Sequence, residues 1–176
     1  MEGARKKVNY PFGFGLSYTE FALEDSQISY TSTGAKLTVQ VTNVGDCAGK
    51  EVVQVYYSAP AGKLEKPYQE LAAYAKTKEL APGESEELII TYQVDRMASY
   101  DAQRASYVLE AGTYYVRVGV NSRATKVTAA VVLDQAAVTE VLSNRLTLDC
   151  EMNELSSADV TPYGYAEEEA EKEQAC

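Results

Sequence analysis

Lys36-Leu37-Thr38-Val39-Gln40-Val41-Thr42, closed by Asn43-Val44-Gly45-Asp46, is the stretch on which the fold turns. Its apolar residues return at every second position, the period of a strand with one buried face and not the 3.6 of a helix. Asn43, Gly45 and Asp46 supply turn chemistry, so the strand ends there. Outward from it the same pattern recurs. In residues 51–58, Val53, Val55 and Tyr57 share one face, expected inward, and Val52, Gln54 and Tyr56 share the other. Leu80-Ala81-Pro82-Gly83-Glu84-Ser85 is a turn, and Leu88, Ile90 and Tyr92 follow it as an inward set. Tyr114, Val116, Val118 and Val120 alternate with Tyr115, Arg117 and Gly119, and Val127, Ala129, Val131 and Leu133 make the last clear inward face.

Shorter segments fill the intervals. Residues 21–24 and 28–30 read as extended, Thr33-Gly34 turns, and 106–110 extends again before Ala111-Gly112. Residues 71–74 fit a short strand or, with two alanines, a helical turn; they are assigned to a strand. In 136–148, Val138, Val141 and Leu142 have helical spacing while Val138, Thr139 and Val141 favour strand, and both readings stay open. Seven or eight strands with turns at short intervals and no long amphipathic helix predict an all-β, antiparallel sandwich.

Tyr10-Pro11-Phe12-Gly13-Phe14-Gly15-Leu16-Ser17-Tyr18-Thr19 departs from this pattern. Its glycines allow tight or positive-φ backbone while Tyr10, Pro11, Phe12, Phe14, Leu16 and Tyr18 offer more apolar surface than a first strand needs. Two readings fit: a plug for the end of the chain's own core, or a docking loop for a neighbouring domain.

Composition excludes much chemistry. The chain has no histidine, which removes Ser/His and Cys/His nucleophile systems and the commonest metal ligand. Cys47, Cys150 and Cys176 are odd in number and far apart; they read as free thiols in a reducing compartment, and Cys47 as inert. Glu86, Glu87, Asp95 and Asp101 are spaced neither as an acid/base pair nor as a calcium loop, and Asp101 is expected to cap a turn. No catalytic, cofactor-binding or metal-binding residue is therefore assigned.

Of the net charge of −10, residues 149–176 hold nine acidic groups and one lysine, Lys172, so the body is nearly neutral and carries no footprint for nucleic acid. The acidic run in 167–173 repels itself unless helical or bound; 149–176 reads as a linker or a disordered tail. No apolar run approaches a membrane span, and Arg5, Lys6 and Lys7 precede aromatic and glycine residues instead of a signal core, which predicts a cytoplasmic location. Fourteen tyrosines without tryptophan invite sugar stacking, but Tyr57, Tyr92 and Tyr114 fall on inward faces, leaving Tyr56 and Tyr115 outward.

Several motifs together resemble the fibronectin type III-like domain of glycoside hydrolase family 3 enzymes, which include many β-glucosidases and β-xylosidases. The aromatic loop is similar to the family's connection from an α/β sandwich domain into its β-domain. Gly49-Lys50-Glu51-Val52-Val53-Gln54-Val55-Tyr56 resembles its central strand, Pro67, Glu70-Leu71, Tyr74-Ala75-Lys76 and residues 80–85 the next stretch, and Glu110-Ala111-Gly112-Thr113-Tyr114-Tyr115-Val116-Arg117-Val118-Gly119 a late strand with Tyr114 as corner tyrosine. Tyr74 and Tyr107 stand where phenylalanine and tryptophan are expected.

The resemblance implies an immunoglobulin/fibronectin type III-like sandwich over 21–148, preceded by an interdomain loop over 1–20 and followed by the acidic 149–176. It implies a non-catalytic accessory module, because the family's two carboxyl groups, which retain configuration, lie outside this domain in a barrel and its surroundings. The implied partners are the parent's α/β sandwich and barrel, with weak carbohydrate contact and neither nucleic acid nor membrane. Some bacterial members place the β-domain in the middle, which makes 149–176 a linker to the barrel. The alternative is an independent carbohydrate- or protein-binding module.

Overall fold

The computed structural model describes residues 6–31, 33–145, 149–150, 152–153, 156–159, 161 and 166–176. Among them ten strands form three antiparallel sheets. The first contains β1 (Phe21–Tyr30), β2 (Gly34–Asn43) and β5 (Ser85–Gln93) in the order β1-β2-β5. Facing it, β3 (Val52–Ser58), β4 (Glu70–Lys76), β8 (Gly112–Asn121) and β9 (Ala124–Leu133) lie in the order β4-β3-β8-β9. A small third sheet joins β6 (Ser99–Asp101), β7 (Ser106–Leu109) and β10 (Ala137–Val141) in the order β10-β7-β6.

The all-β sandwich expected from the two-residue period is the architecture found. Leu37, Val39 and Val41 from β2 meet Leu88, Ile90 and Tyr92 from β5 on one side of the core, with Val53, Val55, Tyr57, Tyr114, Val116 and Val118 on the other. Tyr114 forms the corner: its hydroxyl donates to the Glu110 carbonyl oxygen at 3.0 Å. The open segments resolve to strand, since residues 71–74 lie within β4 and 137–141 are β10, paired with β7. Cross-strand hydrogen bonding decides both, a term that local helical spacing does not contain. Residues 146–148 of the second segment lie outside the described residues.

One expected exposure and one expected face need correction. Gln54 and Tyr56, expected to face outward, are buried, so β3 is covered on both faces. Val127 belongs to the outer face instead of the core set. Between β8 and β9 the register shifts so that Val116 pairs with Ala129 but Arg117 with Val127, which makes Thr128 an inserted residue and turns the side chains before it to the other face.

The acidic run, self-repelling unless helical or bound, is both. Ala166–Ala175 forms the helix α1, with Glu167, Glu168 and Glu169 in the first turn, where the helix dipole favours negative charge, and it packs beside β9.

Candidate docking surface

The aromatic loop is fixed through its backbone while its side chains stand clear. Phe14 N–H donates to the Pro11 carbonyl at 3.1 Å, and Gly13 takes φ 76°, the positive value that this turn requires at its third residue. The carbonyl oxygens at the turn's tip face the outer side of the four-stranded sheet. Ser122 N–H donates to the Phe12 oxygen at 2.9 Å, and Gln54 Nε2 donates to the Gly13 oxygen at 2.9 Å and to the Val120 oxygen at 2.6 Å. Tyr56 Oη completes the set by donating to Gln54 Oε1 at 2.5 Å. A Cβ on Gly13 would meet the Gln54 amide, so a larger residue there would push that side chain off the loop carbonyl in addition to straining the positive φ. Further on, Thr19 Oγ1 donates to Asn43 Oδ1 at 2.7 Å and Val44 N–H to the Glu20 oxygen at 2.8 Å.

Against this anchored backbone, Phe12 is 65% exposed, Leu16 91% and Tyr18 100%; Tyr10 and Phe14 are also exposed, and Pro11 is half-buried. The Tyr10 and Phe14 rings lie 5.0 Å apart, centroid to centroid. All six residues singled out in the sequence thus lie along one loop, and five of them leave large apolar side chains in water. The plug reading has no support from these side chains, because the core closes without them.

Sequence reading missed the seats of the loop. Gln54 was legible only as a polar residue inside a valine-rich strand, and Ser122 as part of a turn. Arg117 was missed likewise: it is buried on the outer face and paired with Glu168 of α1. Burial alone raises a carboxyl pKa, but Arg117, Tyr68 and Lys172 outweigh it and hold Glu168 down at about 2. A folded pKa below the unfolded 4.5 means that this contact stabilises α1 fully above pH 4.5 and is lost as pH falls through 2. A carbon-detected NMR titration of the Glu168 carboxyl is expected to show its midpoint near that lower value; a midpoint at 4.5 would mean that α1 is undocked.

Among the described residues the exposed tyrosines are divided between the aromatic loop (Tyr10, Tyr18), β4 (Tyr74) and the third sheet (Tyr100, Tyr107). Tyr56 is buried, Tyr115 is half-buried with Lys172 Nζ 5.4 Å from its ring centroid, and the exposed pair Tyr100 and Tyr107, 5.3 Å apart, belongs to the third sheet. Asp101 caps its turn as expected, its Oδ1 accepting from the Gln103 and Arg104 amides at 3.0 and 3.2 Å. Among the described residues no helix is long and apolar enough to cross a membrane.

An antiparallel sandwich with a corner tyrosine near the start of β8 defines a fibronectin type III-like domain, and residues 51–122 match that family. The chain is 42% identical over 164 residues to beta-glucosidase A of Butyrivibrio fibrisolvens, covering 82% of this chain and 20% of that enzyme. Among solved structures, a beta-glucosidase from Paenibacillus barengoltzii matches with a TM-score of 0.73 at 42% identity, over 78% of this chain and 16% of that one. The GH3 beta-glucosidase of Bifidobacterium adolescentis matches with a TM-score of 0.70 at 34% identity, over 82% of this chain and 22% of that one. This chain is a fibronectin type III-like domain of the kind carried by family 3 β-glucosidases, and it spans about a fifth of the length of these relatives.

Proposed function

We propose that the chain is the non-catalytic β-sandwich module of a retaining family 3 glycoside hydrolase, acting in the cytoplasm on β-linked glucosides or xylosides. Its work is mechanical: the loop over residues 1–20 docks on the neighbouring α/β sandwich and barrel, residues 21–148 brace them, and 149–176 link onward to the barrel in the exchanged domain order. The observation that carries this reading is the pairing of a hydrogen-bonded loop backbone with exposed rings at Tyr10, Phe12 and Phe14. Such a loop has already met its ordering cost and presents apolar area to a partner. Scattered or buried tyrosines support this reading over a stacking platform for sugar.

The test compares the 176-residue chain with the full-length hydrolase containing it. Phe12→Ala and Phe14→Ala are expected to leave the melting of the chain alone nearly unchanged. In the full-length protein each should cost on the order of 1.5–3 kcal/mol, the value of burying one large apolar side chain, and shorten the half-life of activity on heating. Unchanged melting and activity of the full-length variants would overturn the docking role. The chain alone is expected neither to hydrolyse aryl β-glucoside or β-xyloside nor to sediment with insoluble polysaccharide; sedimentation without turnover would move the role to carbohydrate binding.

A further inference from the structure

Arg117 stands in the middle of β8 with 3% of its surface exposed, and the strands around it supply no countercharge. Ser58 Oγ accepts from its Nε at 2.9 Å, the Tyr68 hydroxyl accepts from Nη2 at 3.4 Å, and the Tyr68 ring centroid lies 5.1 Å from Cζ. Ser58 is itself oriented by donating to the Tyr68 carbonyl oxygen at 2.7 Å. These partners are neutral. The carboxylate paired with Arg117 comes from outside the sheet: Glu168 Oε1 lies 2.6 Å from Nη2, and Oε2 accepts from the Tyr68 hydroxyl.

Among the described residues, the helix that delivers this carboxylate is otherwise held by polar contacts and by Lys172 Nζ, 5.4 Å from the Tyr115 ring centroid. Ala-Glu-Glu-Glu-Ala-Glu-Lys-Glu-Gln-Ala contains no apolar side chain larger than alanine, so no apolar stripe can be buried. Ten residues are also too few for a stable isolated helix. Glu171 Oε2 accepts the Val127 amide proton at 2.8 Å, and Lys172 Nζ pairs within the helix with Glu168 at 3.0 Å and Glu169 at 2.8 Å. Glu168 is the one of these groups that is both charged and buried in the sheet face.

We propose that Arg117, Ser58 and Tyr68 form a carboxylate socket, and that α1 is a latch seated in it through Glu168, closing over the outer face and lifting from it as a unit. The desolvation of a buried ion pair offsets much of its attraction, so the net hold is small and the latch reversible. Removing one partner is a different matter, because the other charge is then left buried and unmatched. When α1 lifts, Arg117 and Tyr68 regain water, and the Val127 amide loses its acceptor. The socket's occupant is thus a segment of this same chain, an acidic helix presenting one glutamate.

Hydrogen exchange on the whole chain tests this, with Glu168→Gln as the probe and Glu173→Gln as a control that makes the same charge change on an exposed residue. In Glu168→Gln the α1 amides and the Val127 amide are expected to exchange about ten times faster or more, while amides in β2 and β3 keep wild-type rates. Glu173→Gln is expected to match wild type throughout. Equal protection of α1 in Glu168→Gln and wild type would overturn the proposal. So would wild-type α1 amides exchanging as fast as a free peptide, or Glu173→Gln losing as much protection as Glu168→Gln, which would reduce the effect to net charge.

Discussion

Asn43→Leu is expected to lower the unfolding free energy of this chain by about 3 kcal/mol in urea titration, with an unchanged slope. Leucine repeats the branching of asparagine at Cγ, and the position is fully buried, so transfer alone would favour the change. Hydrogen bonding decides against it. Asn43 Nδ2 donates to the Cys47 and Leu80 carbonyl oxygens, both at 2.8 Å, while Oδ1 accepts from Thr19 Oγ1 at 2.7 Å and from the Gly45 amide at 3.1 Å. One side chain thereby ties together the end of β2, the loop before β3, the turn before β5 and the base of the aromatic loop. Leucine leaves these groups unmet, at roughly 1–3 kcal/mol for each that stays buried. Some of them recover water, so the expected loss is below the sum. A loss under about 1 kcal/mol would show that the loops hold without this hub.

Gly119→Ala is expected to cost about 2 kcal/mol or more, and Gly83→Ala distinctly less. At Gly119 a Cβ would overlap the Ala124 carbonyl oxygen and come within 2.7 Å of Thr125 Cα. Those atoms are backbone, held by the β8–β9 register shift between Gly119 and Asn121 and by Asn121 Oδ1, which accepts from the Arg123 and Ala124 amides at 2.9 Å each. They cannot turn aside as a side-chain end would. The strain also reaches Ser122, whose amide holds the Phe12 carbonyl, so the variant should expose the aromatic loop to faster proteolysis. At Gly83, by contrast, φ is +77° but nothing lies within 4 Å of the added carbon, so the cost is that of the backbone conformation alone. Thermal melts of the two variants settle the comparison, and equal losses would refute the steric account.

Legibility differed by residue for physical reasons. Leu37, Val39, Val41, Leu88, Ile90 and Tyr92 were placed correctly because a sheet with one face in the core imprints its two-residue period on the chain. Tyr114 was legible as a corner only through the resemblance of its strand to the family's, and the structure supplies the physical reason, a hydroxyl that reaches a carbonyl four residues back. The aromatic loop was legible as surplus apolar area, although which of its atoms face the sheet was not. Val127 was misplaced because a bulge is a property of the paired strands: nothing in Val127, Thr128 and Ala129 announces that Thr128 will be left without a partner on β8.

Gln54, Tyr56 and Arg117 mark the same boundary from the other side. By period each belongs on the solvent face of its strand, and each does point away from the core; what buries them are segments at the two ends of the chain, the loop at Phe12 and Gly13 and the helix at Glu168. The separations are large, 41 residues from Gly13 to Gln54 and 51 from Arg117 to Glu168. Periodicity is a local property and was enough to determine strands, turns and the inward faces of the sandwich. Which outward face is covered, and by what, depends on contacts between segments remote in the chain, and those existed only once the sheets had assembled.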